Sequence, residues 1–281
     1  MPQIKFTKMH GIGNDYVYIN CFEQTIKNPE ELAMKMSPRR FSVGADGVIL
    51  ICPSDVADAK MRMFNLDGSE GKMCGNGIRC VGKFIYDNDI AHKSTITVET
   101  LSGIKTLEIT DVGGKASSIT VDMGKAEFSP DKIPAIADCD TIIDTAVTVD
   151  GKEYNVTALS MGNPHAVTFC DDIDNLNLSE IGPHFEHHDM FPEKVNTEFI
   201  RVIDDHTLQM RVWERGSGET FACGTGACAA AVAAVVNGYC KQDQEITVHL
   251  VGGDLFITYK SDGTVFMRGG AEKVFDGVYE I

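Results

Sequence analysis

Met73-Cys74-Gly75-Asn76-Gly77 and Ala222-Cys223-Gly224-Thr225-Gly226 carry the same punctuation 149 residues apart (223 − 74). The same offset carries Gly13-Asn14 onto Gly162-Asn163 and Met61-Arg62-Met63-Phe64-Asn65 onto Met210-Arg211-Val212-Trp213-Glu214. Ile96-Thr97-Val98 falls one residue off Ile246-Thr247-Val248. A register held from Gly13 to Gly77, and within one residue as far as Val98, marks an internal duplication, and hence two domains of like fold.

Each half reads alike around its glycine turn. A strand (Ile4 to Thr7; Val156 to Ser160) meets the Gly-Asn loop, and two more follow (Val48 to Cys52 and Lys60 to Phe64; Glu198 to Ile203 and Leu208 to Trp213). The Cys-Gly-x-Gly turn then opens a helix. In the second half this is Ala227 to Val236, apolar on every side and therefore buried all round, with Asn237-Gly238 as its C-cap. In the first half Ile78, Val81 and Ile85 recur at helical spacing and Asn88 ends the run. Alternating hairpins follow each helix: Thr95 to Thr100, Ile104 to Thr110 and Ser118 to Met123, matched by Glu245 to Leu250, Leu255 to Lys260 and Val265 to Arg268. The expected fold is α/β (α+β): two pseudo-symmetric domains, each a curved mixed sheet wrapped around a central helix. The boundary is expected near Met123 to Pro130, giving domains of 1–123 and 124–270.

The bulk composition agrees. A chain of 281 residues is comfortable for two domains, and 43% hydrophobic content supplies a full core. No apolar run approaches the roughly 20 residues that span a bilayer, and Met1-Pro2-Gln3-Ile4-Lys5-Phe6 lacks the apolar stretch of a signal peptide. The expectation is a cytoplasmic protein with no membrane partner. A formal charge of −16 repels phosphate backbones and argues against nucleic acid. Nine cysteines, an odd number with no C-x-x-C pair, make neither a disulfide framework nor a zinc site. No metal is expected. Most cysteines, Cys80 and Cys228 within the helices included, read as small buried hydrophobes.

Cys74 and Cys223 read otherwise. Each stands before a Gly-x-Gly turn that opens a helix, where free N–H groups and a partial positive charge stabilise a thiolate and seat a carboxylate. Either alone is ordinarily a buried apolar residue. Two at matching places of a repeat, each with a Gly-Asn loop upstream, point to chemistry. Equivalent loops facing one ligand would put a thiol on each side of a bound carbon, an arrangement suited to inverting a stereocentre by general acid–base catalysis. Asn14, Asn65, Asn76, Asn163 and Asn196 stand beside glycines or at strand ends; each alone is a turn residue, and together they suggest a site lined with uncharged hydrogen-bonding groups. Glu214-Arg215 is either a surface ion pair or places an arginine to bind a carboxylate bidentately. His165, after Asn163-Pro164, is either a loop histidine or a group that tunes a thiol.

At these residues the sequence resembles diaminopimelate epimerase, of the cofactor-independent racemase group that includes proline racemase. The resemblance rests on Lys8-Met9-His10-Gly11-Ile12-Gly13-Asn14-Asp15-Tyr16, Gly44-Ala45-Asp46-Gly47, Phe64-Asn65-Leu66-Asp67-Gly68-Ser69-Glu70, Ser160-Met161-Gly162-Asn163-Pro164-His165, Val195-Asn196-Thr197-Glu198-Phe199, Glu214-Arg215-Gly216-Ser217-Gly218-Glu219-Thr220 and the two cysteine turns. It implies interconversion of LL- and meso-2,6-diaminopimelate without a cofactor, on the route to lysine and cell-wall peptide, with Cys74 and Cys223 as acid and base. It implies that Asn14, Asn65, Asn163, Asn196 and Arg215 contact substrate, that Gly75-Asn76 and Gly224-Thr225 bind it through their loops, and that His165 and Glu214 tune the cysteines. It also implies a site between the domains, a homodimer, and a C-terminal segment, about 271–281, that returns to the first domain. Gly47 stands where certain members carry a substrate-touching glutamine. The competing readings are another racemase or isomerase of the same fold, proline racemase-like proteins among them, and a non-catalytic amino-acid binding protein.

Overall fold

Residues 3–280 are described by the computed structural model. The chain divides into two units, one of residues 3–121 with 268–280, the other of residues 122–267.

The first unit runs β1 (Gln3–Gly11), β2 (Asn14–Asn20), α1 (Pro29–Met36), β3 (Gly47–Cys52), β4 (Ala59–Asn65), β5 (Glu70–Gly71), α2 (Gly75–Asp87), β6 (Thr95–Thr100), β7 (Gly103–Val112) and β8 (Lys115–Lys125). The second runs β9 (Thr145–Val149), β10 (Lys152–Ser160), β11 (Pro164–Phe169), α3 (Leu178–Glu186), β12 (Asn196–Asp204), β13 (Thr207–Glu214), β14 (Gly218–Thr220), α4 (Gly224–Val236), β15 (Glu245–Leu250), β16 (Gly253–Tyr259) and β17 (Thr264–Gly269). The chain then supplies β18 (Glu272–Glu280) to the first unit.

The strands of the two units repeat one pairing scheme. In the first, β1 and β2 are antiparallel, β2 and β3 parallel, β3 and β4 antiparallel, β4 and β6 parallel, and β6 and β7 antiparallel. In the second, β10 through β16 follow the same alternation, with β11 beside β12 and β13 beside β15 as the parallel pairs. Each parallel step needs a crossover, and a helix supplies it: α1 and α2 in one unit, α3 and α4 in the other. The outermost strand completes the likeness with a twist of connectivity. Beside β10 lies β9, its predecessor in the chain; beside β1 lies β18, from the far end, with Gln3 opposite Glu280 and Ile4 opposite Tyr279.

The helices at the cysteine turns are the cores of their sheets. Ten of the residues of α4, from Gly224 to Ala234, are buried, six of them alanine, which lets strands approach on several sides. α2 buries Ile78, Cys80, Val81, Phe84 and Ile85, and also Arg79, whose guanidinium is spent on the carbonyls of Gly75 (3.1 Å) and Gly270 (3.2 Å), among other contacts. Burial of each large aliphatic side chain contributes about 1.5–3 kcal/mol, and these helices concentrate it at the centre. Asn88 and Asn237 end them, each returning its side-chain amide to the carbonyl four residues back at 2.8 Å. The sequence reading of a sheet around a central helix, twice, holds. The short helices α1 and α3 were not anticipated: each is about two turns, and α3 carries Pro183 inside it. Among the described residues, no helix is long and apolar enough to cross a membrane.

Candidate active site

Both cysteines are N-caps. Cys74 (φ −127°, ψ 121°) and Cys223 (φ −121°, ψ 107°) leave the extended region just as their helices begin. Each sulfur accepts the backbone N–H of the third residue on, Gly77 or Gly226, at 3.3 Å in both cases. A thiol thus takes the place that serine or aspartate fills at ordinary helix starts. The glycines leave room for neighbouring side-chain tips: a Cβ on Gly77 would meet Ile49 Cδ1 at 2.7 Å, and one on Gly226 would meet Glu198 Oε1 at 2.6 Å.

Around Cys74 the structure gathers Asn14, Gly75, Asn76 and Tyr16. The Gly13 turn has φ 86°, open to glycine without strain, and it delivers Asn14 so that its Oδ1 lies 3.2 Å from Cys74 Sγ. The Asn14 amide nitrogen donates to Asp46 Oδ2 at 2.7 Å. Asp46 is in turn held by Arg39 at 2.7 Å, and Arg39 and Lys8 converge on Asp15. Against the burial of its carboxyl, these two cations hold Asp15 below the usual carboxylate range. Burial, with Cys74 and Asp46 adding to it, pushes the Tyr16 hydroxyl far up, so it stays a neutral donor. Asn76 is buried in the first turn of α2. Asn65 is tied instead to Ser69 Oγ at 3.0 Å, within the turn that joins β4 to β5. Gly47 lies opposite Asn65, and a Cβ there would stand 2.1 Å from the carbonyl oxygen of Phe64. A glutamine at this place would therefore require the backbones of β3 and β4 to shift apart.

Around Cys223 the surroundings are acidic. Thr225 Oγ1 lies 3.6 Å from its sulfur. Burial pushes the Cys223 thiol well above its usual value, and the carboxyls of Glu214 and Glu198 push the same way, while Thr225 and the Gly226 N–H pull back. The helix start alone would lower it; here desolvation wins. Burial likewise raises the Glu214 carboxyl, which accepts the hydroxyl of Thr220. His165 is wholly buried, with Nδ1 2.7 Å from Glu198 Oε1 and Nε2 3.0 Å from Asn163 Oδ1.

Asn196 and Arg215 form a brace. The Asn196 amide donates to Pro164 O and accepts the backbone N–H of Arg215, both at 3.0 Å. The exposed Arg215 guanidinium reaches Glu193 O at 3.1 Å through one nitrogen. The loop between β13 and β14 is also anchored by Glu186, which accepts from Gly216 N at 3.1 Å and Trp213 Nε1 at 2.8 Å. Sequence reasoning passed over Tyr16, Asp46, Glu186 and Glu198. The repeat offers a signal for two of them: the offset of 149 carries Tyr16 onto His165 and Ile49 onto Glu198.

The sequence profile of the family described as diaminopimelate epimerase matches residues 6–129 and 157–274. The diaminopimelate epimerase of Acetivibrio thermocellus is 53% identical over 279 residues, covering 99% of each chain. That of Methanococcus maripaludis (strain C5) is 52% identical over 279 residues, covering 99% of this chain and 100% of the relative. Among solved structures, a Bacillus anthracis phenazine biosynthesis protein of the PhzF family superposes with TM-score 0.73 at 18% identity over 100% of both chains. A probable proline racemase from Agrobacterium radiobacter gives 0.72 at 14%, covering 99% of this chain and 92% of the other. At such identities the structural likeness speaks for the fold alone. The profile match over both repeats and the half-identity across nearly the whole chain decide the family: this chain belongs to the diaminopimelate epimerases.

Proposed function

We propose that the chain interconverts LL- and meso-2,6-diaminopimelate, in lysine biosynthesis, by exchanging the proton of one α-carbon between Cys74 and Cys223. Family membership makes it an isomerase. The observation that carries the two-thiol reading is that both sulfurs cap helices in the same way, each on the N–H of its own third-residue glycine.

The chemistry follows from these groups. One sulfur removes the α-proton and the other returns a proton to the opposite face, the roles exchanging with direction. The carbanion between these steps needs stabilisation, and oriented N–H groups at a helix start supply it to the substrate carboxylate. Gly75-Asn76 and Gly224-Thr225, which begin α2 and α4, would supply such groups. Asn14 and Asn163 touch the thiol machinery directly, through Cys74 and His165. Arg215 has guanidinium donors beyond the one given to Glu193 and is suited to a carboxylate. Binding of the distal, non-reacting amino-acid centre would supply energy used at the reacting carbon. This scheme calls for no cofactor, and the reading includes a cytoplasmic homodimer. In support of the dimer, β18 exposes Val274, Phe275 and Val278 on its surface.

Incubating LL-diaminopimelate with the protein in deuterated water under reducing conditions should yield meso product labelled at the inverted α-carbon only. Cys74→Ala and Cys223→Ala should each lose epimerisation, on the order of 10²–10⁴-fold or more. Binding without deuterium incorporation would instead leave an amino-acid binding protein.

A further inference from the structure

Each Cys-Gly-x-Gly turn is backed by one residue of the strand against which it packs. In the first unit it is Ile49 on β3, the nearest atom to a Cβ built on Gly77. In the second it is Glu198 on β12, whose Oε1 is the nearest atom to a Cβ built on Gly226, with Cys223 Sγ next at 3.1 Å. The two residues differ by the offset of the repeat. A core position given to isoleucine in one copy therefore holds a carboxyl in the other, and next to the sulfur. Glu198 has no exposed surface. Its Oε1 receives His165, and its Oε2 has no hydrogen-bond partner among the described residues. Burying a carboxyl with an oxygen unpaired is costly, and a native chain retains such a group where it has a use.

We propose that Glu198 is a positioning residue for the acid–base chemistry: with His165 it forms a buried carboxyl–imidazole pair that sets the protonation of Cys223. The proposal rests on Cys223 being one of the two exchanging thiols. The groups that face this sulfur are Glu214 from β13, Glu198 from β12 and, through Glu198, His165 from β11; the first turn of α4 has no acidic residue. With the Asn163 amide turned so that its N–H meets Nε2, the neutral imidazole gives its one N–H, on Nδ1, to the Glu198 carboxylate, and the pair keeps one negative charge. Negative charge beside a thiol favours the protonated form. Glu198 thus keeps Cys223 as the proton-bearing partner until a ligand alters its surroundings. The first repeat has no such device: Ile49 carries no charge, and Tyr16 stands where His165 does.

The test is the pH dependence of iodoacetamide alkylation of the full chain, followed at Cys223 and Cys74 separately by peptide mass spectrometry. Glu198→Gln should move the Cys223 midpoint down by about 1 pH unit and leave that of Cys74 in place. Glu198→Asp, which keeps the charge, should return it toward the parent value. An unchanged Cys223 midpoint in folded Glu198→Gln, or equal shifts at both thiols, would overturn the proposal. A second measurement needs no variant: nitrogen NMR of His165 in the unaltered protein must show Nδ1 protonated, and an unprotonated Nδ1 would also overturn it. Alkylation does not depend on turnover. A parent protein that fails to epimerise diaminopimelate would therefore defeat the proposed function and still leave the role of Glu198 to be judged.

Discussion

Asp46 decides which end of the Asn14 side chain meets the thiol. It accepts the amide nitrogen at 2.7 Å, so the oxygen is left 3.2 Å from Cys74 Sγ, as an acceptor for an S–H. Removing that constraint has a definite sign. In Asp46→Asn the Asn14 amide can turn and offer N–H to sulfur, and a negative charge is also gone. Both changes favour the thiolate. The alkylation midpoint of Cys74 should fall and that of Cys223 should not. A midpoint that stays or rises would show that Asn14 keeps its orientation without Asp46.

Glu214 gives a stability signature against pH. Burial holds its carboxyl above the ordinary 4.5. The folded chain therefore binds this proton more tightly than the unfolded chain, and the folded state loses stability as pH rises from near 4.5 through the folded value. Glu214→Gln has no charge to bury. Its stability relative to the parent should grow with pH over that window and then level off, read as urea midpoints at a series of pH values. A difference that falls with pH would mean that the carboxylate is stabilised in place.

Asn196 is committed on both sides, to Pro164 O and Arg215 N, and is 3% exposed. Asn196→Ala leaves one buried and one part-buried backbone group without these partners. The cost should be about 1–3 kcal/mol in chemical unfolding. The Arg215 loop should also loosen, raising KM for diaminopimelate more than it lowers kcat. Unaltered stability would mean that water takes over both bonds.

Gly47→Gln tests the backbone contact at the paired strands. With Phe64 O 2.1 Å from the new Cβ, β3 and β4 must part, at a cost of about 1–3 kcal/mol or more. The denaturant midpoint should fall accordingly. A variant as stable as the parent would show that these strands separate easily.

The repeat was legible because its markers are backbone requirements. Gly13 and Gly162 have φ of 86° and 94°, and Gly77 and Gly226 stand where a side chain would collide. Such needs write themselves into sequence as glycine. The all-apolar α4 was legible because nothing else produces that pattern. The electrostatics were harder to read. Tyr16, Glu198 and Asp46 lie on strands or at strand ends among ordinary residues, and their significance comes from what folding brings beside them. A carboxyl at 198 looks like a solvent-facing position of a β-strand until the helix packs over it. The helix-start argument, applied to sulfur alone, omitted the cost of dehydrating Cys223, which exceeds the pull of the Gly226 N–H. α1 and α3 were hidden by brevity.

The pairing of Gln3 with Glu280 has a consequence for how the chain is made. During synthesis β1 leaves the ribosome long before β18 exists, while β9 to β17 emerge as one uninterrupted stretch. The half encoded later can therefore finish first, and the earlier half waits with one flank of β1 bare. A message cut just before the codons of β18 would yield a sound second half joined to a first that never seals, the kind of nascent product that chaperones hold and proteases clear.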